Sequence, residues 1–194
     1  MSTLATKTPY TPNDLLLMRN AVAYELVAGE LVERNTSYWT SYIGSIISYL
    51  LNSFCLQNKR GWVAAADASF QCFPDDPQKV RRADVSFIRL DRLTSETATA
   101  KGHMPIAPDL AVEVVSPGDL YYEVDPKTEE WLAAGAQLVW IVNPRNRTVK
   151  VCRADGTTTL LHENGELTGE NLIPGFYCRV GELFLLPTDA ATTA

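Results

Sequence analysis

The chain lacks any apolar run long enough to cross a membrane. Its first residues, MSTLATKTPYTPND, lack the apolar core of a signal peptide, so the expected location is the cytoplasm. Cysteine is sparse and scattered: Cys55, Cys72, Cys152 and Cys178 form no Cys-x-x-Cys pair. That argues against a zinc site or a disulfide framework and predicts free, mostly buried thiols. Histidine is scarcer still, with only His103 and His162, which argues against His-rich metal sites. Ser-His or Cys-His catalysis would then depend on one of two loop residues. No Gly-rich phosphate loop occurs, and Gly165, Gly169 and Gly175 read as turn glycines. Positive charge is not in excess either: the formal net charge is −6 and the pI about 4.9. Bulk electrostatics therefore do not favour nucleic acid, and any such binding needs local basic patches or a metal that offsets the carboxylates.

What remains is a chain of ordinary composition, whose 194 residues fit one domain with a sizeable core. Residues 1–14 are polar and read as loosely ordered, residues 15–187 as a single domain, and 188–194 as a disordered tail. Asn13 or Asp14 is placed to cap a short helix through Leu15–Met18. YELVAGELVE predicts a β-hairpin turning at Ala28-Gly29. From Tyr38 to about Phe54, Ile43, Ile46, Ile47, Leu50 and Leu51 recur at helical steps. WVAAADASFQCF, VSFIRL, LAVEVV, LVWIVN and TVKVCRA read as strands, and the segment from Asp91 to Ala107 as a loop. A helix between LAVEVV and LVWIVN is expected from Asp125, as N-cap, with Pro126 first, to Gly135. Strand, helix, strand implies a crossover with parallel pairing. TTTLLH, LIPGF and LFLL read as short strands in the tail.

Two carboxylates interrupt the apolar strands. Asp84 sits in VRRADVSFIRL, and Glu113 lies among Leu110, Ala111, Val112, Val114 and Val115. A charge in such a place is costly unless it is paired, hydrogen-bonded or bound to a cation. On adjacent strands the two acids would make a site for a hard cation such as Mg²⁺. Each also has a structural reading: Glu113 as the partner of Arg81 or Arg82, Asp84 as a carboxylate bonded to backbone. Asp109 shares the parity of Glu113 but lies roughly 13 Å along the strand, and reads as a strand-entry residue. Arg82, two residues from Asp84, should share its face and contact phosphate, unless it belongs to a solvated polar face.

The ordered set YELVAGELVE, VRRADVSFIRLDR, APDLAVEVVSPGD, KTEEWLAAGAQLVWIVNPRNRTVKV and NLIPGFYCRVGELF resembles the PD-(D/E)XK nuclease-like superfamily. It is most similar to the Uma-type endonuclease family, catalogued as a domain of unknown function. The resemblance implies an α/β fold: a restriction-endonuclease-like mixed sheet flanked by helices, with an added N-terminal hairpin and short C-terminal strands. It also implies Mg²⁺ or Mn²⁺ held by Asp84 and Glu113, with Glu30 as a further ligand, directly or through water, or else a solvent-facing hairpin glutamate, and Glu25 and Asp67 as weaker candidates of the same kind. DNA is the implied substrate and a homodimer the state that would suit cutting both strands.

The pattern departs from the superfamily at two places. Ala83 stands for a proline, and Val115 for the lysine that offsets charge on the phosphorane-like transition state. The resemblance suggests that Lys127 supplies the ammonium from the following helix. Its alternative is a solvated lysine pairing with Glu123 or Glu130. Two rival functions stay open: a nuclease fold serving as a binding or assembly module, and a carboxylate-pair glycoside hydrolase.

Overall fold

The structure, a computed structural model, describes residues 8–116 and 121–188. Its centre is a six-stranded mixed sheet in the order β3-β4-β5-β6-β7-β8. The strands are β3 Gly61–Ala65, β4 Val85–Arg89, β5 Leu110–Val114, β6 Leu138–Asn143, β7 Thr148–Arg153 and β8 Thr158–Leu161. Only β5 and β6 run parallel; every other neighbour is antiparallel. A parallel pair needs a crossover, and here it contains the helix Tyr121–Ala134, α4. Preceding the sheet, β1 Tyr24–Val27 and β2 Glu30–Glu33 form a separate hairpin, and β9 Glu166–Thr168 pairs with β10 Tyr177–Arg179 near the end.

Both faces of the sheet are covered, which is why its central strands read as continuous apolar runs. One face takes the helix α2, Tyr38–Asn58. Ile43, Ile47, Leu51 and Cys55, four residues apart, pack on Val85, Phe87, Leu110, Val112, Val114 and Trp140. Each fully buried aliphatic side chain of that stripe stabilises the fold by about 1.5–3 kcal/mol relative to exposure. Ser37 caps α2: its Oγ accepts the Thr40 N–H, and Thr40 Oγ1 accepts the Ser37 N–H. The opposite face takes α4, whose Trp131 packs with Phe70, Phe73, Ala111, Val139 and Ile141. The alternation along β5 thus sends Leu110, Val112 and Val114 toward α2, and Ala111 and Glu113 toward α4.

The hairpin turn is as expected: Ala28 and Gly29 have φ of 51° and 79°, and a Gly29 Cβ would sit 2.6 Å from that of Pro9. Several boundaries differ. The first helix, α1 Pro12–Leu17, is capped by Thr11 rather than Asn13 or Asp14, because Thr11 and Asp14 exchange bonds in a capping box. Helix α2, by contrast, does end in the polar segment Gln57-Asn58-Lys59-Arg60-Gly61, as that segment leads one to expect: it runs to Asn58, and Lys59 turns left-handed with φ 51°. Of WVAAADASFQCF only the first part is strand, and Phe70 makes isolated bridges to Arg81 and Met104. The Asp91–Ala107 loop contains a short helix, α3 Ser95–Thr99.

Helix α4 starts at Tyr121 and holds Pro126 inside it, not at its first position. A proline there forfeits one N–H bond near the helix start, where the ladder has just begun. The expected cap side chain of Asp125, the turn residues Pro117, Gly118 and Asp119, and the tail 189–194 lie outside the described residues. LIPGF forms a turn, Phe176 N–H bonding to Ile173, and LFLL gives way to a 3₁₀ turn, Val180–Phe184, that buries Val180, Leu183 and Phe184. Among the described residues no helix is long and apolar enough to cross a membrane. Cys55, Cys72, Cys152 and Cys178 form no disulfide, and all but Cys72 are buried.

Candidate active site

The β4–β5 ladder pairs Val85 with Val112 and Ser86 with Ala111. Continuing that register one residue places Asp84 opposite Glu113, on the face covered by α4. Side chains directly opposite each other start from Cβ atoms about 4.5–5.5 Å apart. Asp84 Oδ2 accepts the Val114 N–H at 2.7 Å, and Oδ1 accepts Arg34 Nη2 at 2.9 Å. Glu113 Oε1 accepts the Trp131 indole N–H at 2.8 Å, while its Oε2 lies 3.9 Å from Lys127 Nζ. Lys127 Nζ is closer to Glu25, 3.3 Å from Oε1 and 3.2 Å from Oε2. Glu25, Arg34, Asp84, Glu113, Val115 and Lys127 line a common cavity of about 130 Å³.

Burial is the chief influence on these acids. It pushes Glu113 up to about 7, opposed by the Lys127 charge and reinforced by those of Asp84 and Glu25. It also raises Asp84, although the Val114 N–H and Arg34 pull the other way. At Glu25 the burial penalty is outweighed by Lys127, Arg81 and the Arg82 N–H, so this carboxylate stays ionised. Asp84 and Glu113 are therefore two reluctant anions facing one cavity, a setting that a cation would relieve. Hard oxygen donors from two acids suit Mg²⁺, which keeps several waters and takes only one or two carboxylates. Among the described residues no cluster of three or more His, Cys, Asp or Glu is arranged to hold a metal.

Asp84, Glu113 and Lys127 are brought together; Glu30, Arg82 and Asp67 do not line the cavity with them. Glu30 is exposed where β2 leaves the turn, paired in register with Val27, and does not line the cavity. The acid that the hairpin delivers is Glu25, on β1. Arg82 shares the Asp84 parity but is buried rather than presented to a ligand. Its guanidinium donates to the main-chain carbonyls of Tyr24 at 3.2 Å, Ala21 at 3.3 Å, and Asp67. Three of the five N–H donors of that fork are thus spent on main-chain carbonyls.

The expected partners also shift. Arg81 binds Glu25 and Glu130, not Glu113, and Glu130 binds Arg81 and Lys79, not Lys127. Asp109 is the strand-entry residue expected of it, accepting from Arg89 N–H and Gln137 and pairing with Arg92. The basic residues Arg147 and Arg153 are paired with Glu163 and Glu170. Arg34 is the site residue that sequence reasoning missed. It lies between β2 and the α2 cap, where no periodicity marks it.

The result is an α/β fold with a mixed sheet and one parallel β5–β6 crossover, in which acids of two adjacent strands and a lysine of the crossover helix line one cavity. A crystal structure from Anabaena variabilis ATCC 29413, titled a "putative nuclease belonging to DUF820", shares this fold with a TM-score of 0.75. It is 21% identical, over 91% of this chain and 98% of that one. The chain belongs to the Uma2 family, described as "Putative restriction endonuclease", which it matches over residues 12–181. No curated protein matches it.

Proposed function

We propose that this protein is a Mg²⁺-dependent endonuclease that hydrolyses DNA phosphodiesters at the Asp84–Glu113 cavity. The observation that carries this reading is Lys127. Its ammonium, from α4, lines the same cavity as Val115, which supports Lys127 as the replacement for the missing motif lysine. Asp84 and Glu113 would hold the ion, Mn²⁺ serving in place of Mg²⁺. When bound, the ion polarises the scissile phosphate and lowers the pKa of an attacking water.

Lys127 contributes a fixed positive charge beside the place where negative charge builds on the phosphate oxygens. Glu25 keeps that ammonium off Glu113. Trp131 fixes the Glu113 carboxylate by one oxygen and leaves the other facing the cavity. The Val114 N–H fixes Asp84 by Oδ2, while its Oδ1 is held by Arg34.

The test is cleavage of supercoiled, linear and single-stranded DNA with Mg²⁺ by wild type and Glu113→Gln, alongside calorimetric Mg²⁺ titration of both. Cleavage and metal binding by wild type, both lost in the variant, are expected. Activity unchanged by the substitution would contradict the site.

A second reading is a binding or assembly module without catalysis. Arg34 favours it, since its ion pair already offsets the charge of Asp84. Failure of wild type to bind Mg²⁺ or Mn²⁺ at millimolar concentration would select it.

A further inference from the structure

We infer that Glu25, and with it the whole β1–β2 hairpin, is the device that positions Lys127; the inference rests on the reading of Lys127 as the catalytic lysine. A lysine on a helix face has a flexible four-carbon stem and ordinarily points into water. Here its ammonium lies within 3.3 Å of both Glu25 oxygens. Glu25 is itself immobilised. Its Oε1 accepts the Arg82 main-chain N–H at 3.0 Å, and its Oε2 accepts Arg81 Nη1 at 2.9 Å. Arg81 in turn donates from Nε to Glu130 Oε2 at 2.7 Å and from Nη2 to Oε1 at 3.1 Å.

Glu130 stands three residues after Lys127 on the same helix. The ion pairs therefore close a ring: α4 to hairpin through Lys127–Glu25, then back to α4 through Arg81–Glu130. A ring anchored twice on one helix fixes both the direction of the ammonium and the seat of the hairpin.

Glu25 is not placed to be a metal ligand. A carboxylate offers about four lone-pair sites, and Glu25 directs two partners to each oxygen: Arg82 N–H and Lys127 on Oε1, Arg81 and Lys127 on Oε2. Nothing is left for a cation. Drawing Lys127 to itself also keeps the ammonium 3.9 Å from Glu113 Oε2, beyond hydrogen-bond distance. The oxygen that would face the ion stays available, and the positive charge stays near.

Two measurements test this. In competitive acetylation read by mass spectrometry, Lys127 of Glu25→Gln should label several-fold faster than in wild type, relative to Lys59 and Lys101. Equal labelling would overturn the inference. Should Glu25→Gln fail to fold, Glu25→Gln/Arg81→Met removes the arginine that the substitution strands, and takes its place.

In DNA cleavage with Mg²⁺, Glu25→Gln should lower kcat by about tenfold or more, with KM and calorimetric Mg²⁺ affinity held. Glu25→Gln/Lys127→Met should be no slower than Lys127→Met alone, because a residue acting only through Lys127 has nothing left to orient. Losses that multiply, or weakened Mg²⁺ binding by Glu25→Gln, would contradict it. A wild type that cuts no DNA overturns the nuclease reading instead, and the acetylation comparison then decides the positioning role alone.

Discussion

Asp84 and Glu113 are legible in the sequence because an ionised group amid valines has few ways to exist. Arg82 is not, and the difference is physical. Strand parity tells which face a side chain takes, but not what covers that face. Arg82 meets three main-chain carbonyls, of Ala21, Tyr24 and Asp67, so its planar fork acts as a clamp. Arg82→Lys should destabilise the fold by about 2–4 kcal/mol in denaturant unfolding, since a point ammonium cannot serve all three acceptors. The cleavage rate per folded molecule should not change.

Glu30 and Glu25 illustrate the same limit within one hairpin. Only long-range contact with Arg81 and Arg82 decides which glutamate is buried, and no local pattern announces it. His103 is a further case. Its Nε2 lies 3.0 Å from the Pro12 carbonyl, an acceptor only, so Nε2 carries the hydrogen. Nδ1 then accepts from the Ser69 hydroxyl at 2.7 Å. Burial is the main cause that holds His103 below its ordinary 6.5, with Arg82 adding to it and the Pro12 bond opposing. Between that lowered value and 6.5 the unfolded chain takes up a proton that the folded one refuses. Stability should therefore fall as pH drops below 6.5, and His103→Asn should flatten that part of the pH–stability curve.

At the scale of elements, α4 does three things with one helix. It bridges the parallel strands, seals the sheet with Trp131, and brings Lys127 to the acids. Its existence follows from the strand order, because a parallel pair requires a crossover. Its start does not: Pro126 looked like a first residue, but the helix absorbs it. With Tyr121 as the first residue, Lys127 lies beyond the first turn, where the unfavourable helix-end field has faded. Trp131→Phe keeps the helix and most of the apolar contact but removes the donor to Glu113 Oε1. Chemical unfolding of the metal-free protein should show a loss of about 2–4 kcal/mol. A loss near zero would mean that the indole bond does not hold the carboxylate.

For the whole molecule, the sheet order brings acids from two central strands, a lysine from the crossover and an arginine from the β2–α2 connection into one cavity. The six-strand core was readable as strands and a helix with period two and period three to four. The hairpin's contribution was not, because it lies outside that sheet and joins the site only through ion pairs between residues far apart in sequence. The net charge of −6 is compatible with a DNA substrate only where local cations prevail. In the cavity those cations are Arg34, Lys127 and the proposed ion.

In the proposed reaction Lys127 supplies from α4 what Val115, just past the end of β5, cannot. Single-turnover DNA cleavage with saturating Mg²⁺, comparing wild type with Lys127→Met, tests it most directly. The rate should be lower by about a hundredfold in the variant, with Mg²⁺ binding retained. Equal rates in the two proteins would contradict it.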